Sequence, residues 1–283
     1  MGAPQTSPRA RALSAALRQA REDAGIGQRE LARQLGMKHP QLSYWERGLR
    51  TPVVEDVAAI LAKLDVTGAE RDRVLELARN ASDPNWLTAG IPGVSPGLAG
   101  VLDCEKTANA ITEWSPLVLP GLLQTSEYAR AILSAGDLPA REVEPRVMMR
   151  MSRRDVLTRR RPARLIALIH ERALRENIGG PEVMCDQLRN LLRAAEMDTV
   201  TVQVVQSGVG WHPGLAGPFI LFDFPDSPSI VHLEHHRSSA FLYDDKDVED
   251  YQAAAATVRG VAMSPEDSAE LIASVITELE TTT

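Results

Sequence analysis

Along the first eighty positions, apolar residues recur at the three-and-four spacing of a helix, in short runs broken by glycine. Leu13, Leu17, Ala20 and Ala24 form one stripe that ends at Gly25. Gln28 to Leu35 carries Leu31, Ala32 and Leu35 on one face, and Gly36 supplies a left-handed turn residue. Met37, Leu42 and Trp45 then fall on the buried side of a second short helix, packed back on the first past the small Ala32. Thr51-Pro52 reads as an N-cap with proline at the first helical position, followed by Val53, Val57, Ile60, Leu61 and Leu64. Thr67 to Glu70 has the form of a capping box opening a fifth helix through Leu75, Leu77 and Ala78. The pattern predicts a compact all-α, five-helix unit over residues 1–80.

After residue 80 the pattern changes. Residues 81–97 are rich in proline and glycine and read as a linker, with Trp86 inside it as a docking residue. A helix is predicted from Leu98 to Thr112, then an apolar loop, Leu117 to Leu123, that must be buried, and a helix from about Thr125. Val143, Val147, Met151 and Val156 line one side of a further helical stretch crowded with arginine (146, 150, 153, 154, 159, 160, 161). Such a run reads first as a solvated face pairing with nearby acids, and second as a nucleic-acid surface. Arg164–His170, Val200–Val205, Pro218–Phe224 and Ser229–Glu234 are short β-rich runs, with an amphipathic helix from Pro181 to Met197 between the first two. Helices from about Asp247 to Ala262 and from Pro265 to Glu280 close the chain. Residues 98–283 are therefore expected to form an α/β or α+β domain, a sheet of about four strands flanked by helices.

Two short helices crossing through Gly36 make a helix-turn-helix, and the outward residues of the second, Lys38, His39, Gln41, Ser43, Tyr44 and Arg47, are placed to reach base edges or phosphates. Residues 9–80, above all GIGQRELARQLGM and LSYWERGLRTP, resemble the lambda-repressor-like, or xenobiotic-response-element type, helix-turn-helix family. The resemblance implies that Gln28 touches phosphate and braces the recognition helix. It aligns His39, Pro40 and Gln41 with the helix's early reading positions, puts Tyr44 one turn further on, and makes Arg47 and Arg50 backbone contacts. Gly27 departs from the usual Ser or Thr cap, and Pro40 is tolerable only because it lies in the helix's first turn.

Residues 1–50 hold nine Lys or Arg against four acids, a net of +5, while the whole chain is −7. A basic patch on an acidic protein suits a site-specific reader rather than a general nucleic-acid coat. No apolar run approaches a membrane span and no secretory leader is evident, so a cytoplasmic, nucleoid-associated protein is expected. Cys104 and Cys185, the two cysteines, are too far apart in sequence to indicate a zinc knuckle and read as buried thiols. Arginine far outnumbers lysine, a codon bias that points to an actinobacterial source.

The second half resembles the C-terminal domain of unknown function that follows such a helix-turn-helix in many actinobacterial regulators, through WSPLVLPGLLQTSEYARAIL, RLIALIHERALRENIGGPEVMCDQLRNLL, HPGLAGPFILFDFP and VHLEH. The resemblance implies antitoxin-type or developmental regulators that bind a small partner protein or a small-molecule effector. The expected function is a homodimeric, sequence-specific transcriptional regulator on a double-stranded operator. An antitoxin that masks a partner and regulates its own operon is the alternative, and a DNA-tethered metal enzyme a third reading. No HExxH, GxSxG, Walker or GxGxxG motif occurs, and no cofactor is expected. His212, His232, His235 and His236 with Glu234 would supply metal donors, but within one strand His232 and Glu234 share a face that His235 does not. The glycine-rich loop from Ser207 to Gly217, carrying Trp211 and His212, together with Glu234, is the expected effector or partner site.

Overall fold

The computed structural model describes residues 8–79, 96–136, 138–225, 227–235, 238–242 and 244–282. Most of the expected linker, including Trp86, lies outside them, as does His236.

Five helices form the N-terminal unit: α1 (Pro8–Asp23), α2 (Gln28–Gln34), α3 (His39–Glu46), α4 (Val54–Lys63) and α5 (Gly68–Arg79). Leu13, Leu17, Leu31, Leu42, Val57, Ile60 and Leu61 are fully buried at their centre, with Trp45 beside them. Each such side chain stabilises the unit by about 1.5–3 kcal/mol through loss of apolar surface to water. Two local expectations need correction. Thr51 does not cap α4 and Pro52 does not open it: Pro52 is buried, Val53 stands extended as the N-cap, and the helix starts at Val54, with Glu55 and Asp56 in its first turn complementing the dipole. The capping box at Thr67 is also not closed by Glu70, whose two oxygens accept from Arg73 at 2.8 and 2.6 Å.

The C-terminal domain is α/β, as expected, but its sheet is larger. Its elements are α6 (Pro96–Thr107), β1 (Ala110–Ser115), α7 (Ser126–Ala135), α8 (Ala140–Ser152), β2 (Arg164–His170), α9 (Glu171–Arg175), α10 (Pro181–Ala195), β3 (Val200–Val205), β4 (Phe219–Phe224), β5 (Ser227–His235), β6 (Ser238–Leu242), α11 (Asp245–Val261) and α12 (Pro265–Thr282). Six strands lie in the order β3-β2-β1-β4-β5-β6; β1, β2 and β3 run parallel, and β4, β5 and β6 add antiparallel. One face packs on α6, α7, α9, α10 and α12 through residues such as Ile111, Leu165, Phe222, Tyr128, Leu188 and Ile272. The other packs on α11 through Trp114, Leu168, Phe219, Val231 and Val258.

The strands not foreseen are β1 and β6. The helix expected to reach Thr112 stops at Thr107, and Asn109 N–H donates to the Asp223 carbonyl at 3.0 Å, which hands the chain to the sheet. Leu119, Leu122 and Leu123 of the apolar loop are buried as expected, but Leu117 and Val118 are exposed. The arginine run is not simply a solvated face. Arg153 is buried against Glu105, Arg150 donates to Gln124, Arg154 donates to Asn190, and Arg159 donates to the carbonyls of Lys106 and Ala108. None of these pairings has a local sequence signature, because all join residues far apart in the chain.

Candidate nucleic-acid interface and a buried polar cluster

Gly36, at φ +66°, reverses the chain between α2 and α3, and Met37 N–H closes back on the Ala32 carbonyl at 3.0 Å. Gly48, at φ +71°, ends α3 in the same way, with Leu49 N–H on the Tyr44 carbonyl at 2.9 Å. Between these turns Leu42 and Trp45 face the core, and Lys38, Pro40, Gln41, Tyr44, Arg47 and Arg50 are exposed, with His39 and Ser43 half-buried. The two turns thus fix the row of outward side chains that the sequence predicts. The Arg50 guanidinium carbon lies 5.5 Å from the centre of the Tyr44 ring, a cation–π contact that joins the end of the row to the basic residue after it. Neither α2 nor α3 has a side-chain N-cap; the first-turn N–H groups of α2 stay available to an outside acceptor, whereas in α3 Pro40 has no N–H and Gln41 N–H donates to the Lys38 carbonyl at 3.0 Å.

The brace for α3 is Glu46, which sequence reading missed. Its carboxylate is buried at the end of the helix and accepts from Arg21 Nε and Nη2 at 2.8 and 2.9 Å and from Gln28 Nε2 at 2.9 Å. Arg18 donates to its carbonyl. Gln28 therefore braces α3 through Glu46, and α1, α2 and α3 are tied at one buried charge. Hydrogen bonding to Glu46 raises the Arg21 pKa. Arg21 is neutralised by the buried Glu46, and Arg33 forks onto Glu30. Among the described residues no acid pairs with Lys38, Arg47 or Arg50, so unneutralised positive charge flanks the recognition helix at both ends.

In the C-terminal domain the structure separates the residues expected to form one site. Trp211 is exposed at the loop tip. His212 is buried on the α11 side of the sheet, its ring edge-on to Trp114 at 5.6 Å, with Nδ1 lacking a partner. Trp114 Nε1 donates to the Gly214 carbonyl at 2.7 Å, and a Cβ at Gly214 would come within 2.8 Å of the indole, so this loop is strapped to the core where only glycine fits. Glu234 lies on β5, whose alternation places it with His232 on the opposite face. The imidazoles of His212 and His232 thus lie on opposite faces as well, and His235 is exposed.

On that opposite face a different cluster appears. In the strand register Ala167, Glu113, Ile220, His232 and Phe241 stand side by side from β2 to β6. Glu113 accepts from Ser115 Oγ at 3.2 Å, and burial pushes its carboxyl up to about 7. His232 is 2% exposed, neither ring nitrogen has a partner, and burial with the nearby Arg153 charge pushes it down to about 4. Arg153 forks onto the buried Glu105 at 3.0 and 2.7 Å, and its guanidinium presses against Gly121, where a Cβ would meet it at 3.2 Å. Arg150 donates from Nη1 to Gln124 at 2.9 Å and feels Glu234 and Glu113 electrostatically, while burial lowers its pKa. Sequence reading weighed His232 only as a metal ligand and Arg150 and Arg153 only as members of a charge run, and passed over Glu113 and Glu105. The one available signal was a lone carboxylate between Ile111 and Trp114.

Two family comparisons bear on these halves. A helix-turn-helix domain family matches residues 12–74, and a family described as a domain of unknown function, DUF5753, matches residues 98–274. No curated protein and no solved structure matches the chain. No helix among the described residues is long and apolar enough to cross a membrane.

Proposed function

Because the chain belongs to the DUF5753 family and carries a helix-turn-helix domain ahead of it, we propose that it is a sequence-specific, DNA-binding transcriptional regulator. The C-terminal domain controls it by taking an effector or partner. The observation that carries this reading is the exposed row on α3, held in place by the buried Glu46 network and flanked by unpaired basic residues. Inserted in a major groove, Gln41 has the bidentate amide that matches adenine, Tyr44 reaches bases one turn on, and Lys38, His39, Pro40 and Ser43 complete the surface. Arg47, Arg50 and the first turn of α2 at Gln28 hold phosphates.

One recognition helix contacts too few base pairs to specify an operator, so the protein acts as a homodimer on two half-sites about one helical turn apart. This reading assigns the C-terminal domain binding and no catalysis. Selection of bound duplexes from a random library by the full-length chain tests the proposal. It should enrich one motif with two related half-sites at helical spacing. Enrichment of no motif, with binding that follows length alone, would remove the regulator from the sequence-specific class.

A further inference from the structure

Five of the nine large apolar side chains that stand exposed among the described residues, Leu117, Val118, Val209, Trp211 and Leu215, belong to two loops at one end of the sheet. The strand register puts them together. Ser115, Ile169 and Val204 lie abreast at the carboxyl ends of the three parallel strands, and Phe219, the first residue of β4, pairs with Trp114. Leu117 and Val118 sit on the chain leaving β1. The chain from Val205 to Phe219 crosses the ends of β2 and β1 to reach β4, which lies beyond them in the order β3-β2-β1-β4. Two bonds pin this crossing: Ser207 N–H donates to Glu171 Oε2 at 3.2 Å just past β2, and Trp114 Nε1 donates to the Gly214 carbonyl at 2.7 Å at the end of β1.

In open α/β sheets the point where the strand order reverses commonly opens as a crevice for a small ligand. Here the crossing loop fills it. His212 and Gly214 are buried, while Trp211 is 82% exposed and Val209 and Leu215 are exposed beside it. A filled, pinned apolar surface suits a protein rather than a small molecule. Its lack of charge selects the protein. No Asp, Glu, Lys or Arg occurs from 114 to 126 or from 199 to 222, whereas acids outnumber Lys and Arg by 27 to 18 over residues 98–283. A partner recognised through its charge finds nothing here to pair with. A second copy carries the same acidic excess and is repelled over most of the domain, but at this neutral end two copies meet without that cost. A two-fold axis then lays one apolar patch on the same patch of the other copy.

We propose that this end of the C-terminal domain is the contact between two copies of the chain, with Trp211 as its anchor. The proposal gives a surface to the homodimer already proposed and rests on that homodimer.

The test is sedimentation equilibrium of the full-length chain across the micromolar range, for the parent, Trp211→Ser, Trp211→Glu and Leu117→Ser. Met148→Ser serves as control, since Met148 is an exposed apolar residue on α8. The parent should dimerise, and Trp211→Ser should raise the dimer dissociation constant by about tenfold or more. Trp211→Glu, which brings a charge from each copy to the contact, should raise it further, Leu117→Ser severalfold, and Met148→Ser not at all. Unfolding curves of the variants should match the parent's because the altered side chains are exposed. If either Trp211 variant is less stable, Leu117→Ser on the other loop carries the test. A dimer that the Trp211 variants and Leu117→Ser leave intact would overturn the proposal, keep the homodimer, and hand the patch to a different protein. A parent that stays monomeric throughout would remove the homodimer and this contact with it.

Discussion

Each half of the molecule buries a carboxylate against a forked arginine, and the two differ in what surrounds the pair. In the helix-turn-helix unit the charge of Glu46 meets Arg21 and Gln28, and the network is complete. In the C-terminal domain Glu105 and Arg153 are equally well matched, but beside them Glu113 is held by Ser115 in a burial that raises its pKa, and neither ring nitrogen of the buried His232 has a partner. A complete buried network fixes a shape, whereas an unpartnered buried polar group costs stability. The first holds the reading row in one shape, and the second leaves a buried imidazole without a hydrogen bond.

The largest expected effect breaks the complete side of this comparison. Glu46→Ala leaves Arg21 without its counter-charge in a part-buried position and releases Gln28, and should destabilise the N-terminal unit by about 3–5 kcal/mol in urea unfolding. A loss below 1 kcal/mol would show that the three helices are held by apolar packing alone.

The incomplete side should respond in the opposite direction. The folded-state pKa of Glu113, about 7, lies above the ordinary 4.5, so the folded protein holds a proton that the unfolded chain has lost between these values. Stability from this group therefore falls as pH rises from about 4.5 to 7. Glu113→Gln should be more stable than the parent by about 2–3 kcal/mol at pH 8, an upper bound because the side chain keeps some solvent contact, and equal to it near pH 4.

His232 works the other way. Its folded pKa, about 4, lies below the ordinary 6.5, so the unfolded chain takes up a proton first and stability falls as pH drops from 6.5 toward 4. In the parent the two slopes oppose each other over much of this range, and removing either group should unmask the other. His232→Leu should retain the parent's stability at pH 7 or gain about 1 kcal/mol, since no hydrogen bond is lost, and its stability should decline steadily from pH 4.5 to 7. A destabilised His232→Leu would make the imidazole a packing element and weaken the contrast between the halves.

How much of this was legible in the sequence follows from the range of the interactions. The helix-turn-helix was readable because Leu31, Ala32, Gly36, Leu42 and Trp45 act within a few turns of one another, β2 because Leu165–Ile169 is a continuous apolar run, and β3 because its valines alternate with Thr201 and Gln203. β1 escaped because Ala-Ile-Thr-Glu-Trp-Ser matches neither a continuous run nor strict alternation; the carboxylate that spoils the pattern is the buried Glu113. β6 is a short edge strand with two serines. The reading row on α3 was legible, and its brace was not, because Glu46 reaches Arg21 across 25 positions just as Arg153 reaches Glu105 across 48. Likewise the loop at Trp211 and the strand end at Glu234 looked like neighbours until the alternation of β5 and the anchoring of Gly214 on Trp114 set them on opposite faces.

The central claim, that α3 reads bases while its flanks hold phosphates, is tested most directly by equilibrium binding of Gln41→Ala to the selected operator and to a random duplex of the same length at one fixed salt concentration. The account predicts a loss of about 1–3 kcal/mol on the operator with random-duplex affinity unchanged, and Arg47→Ala, run alongside, weakening both. Equal loss on the two duplexes for Gln41→Ala, or no loss on either, would contradict it.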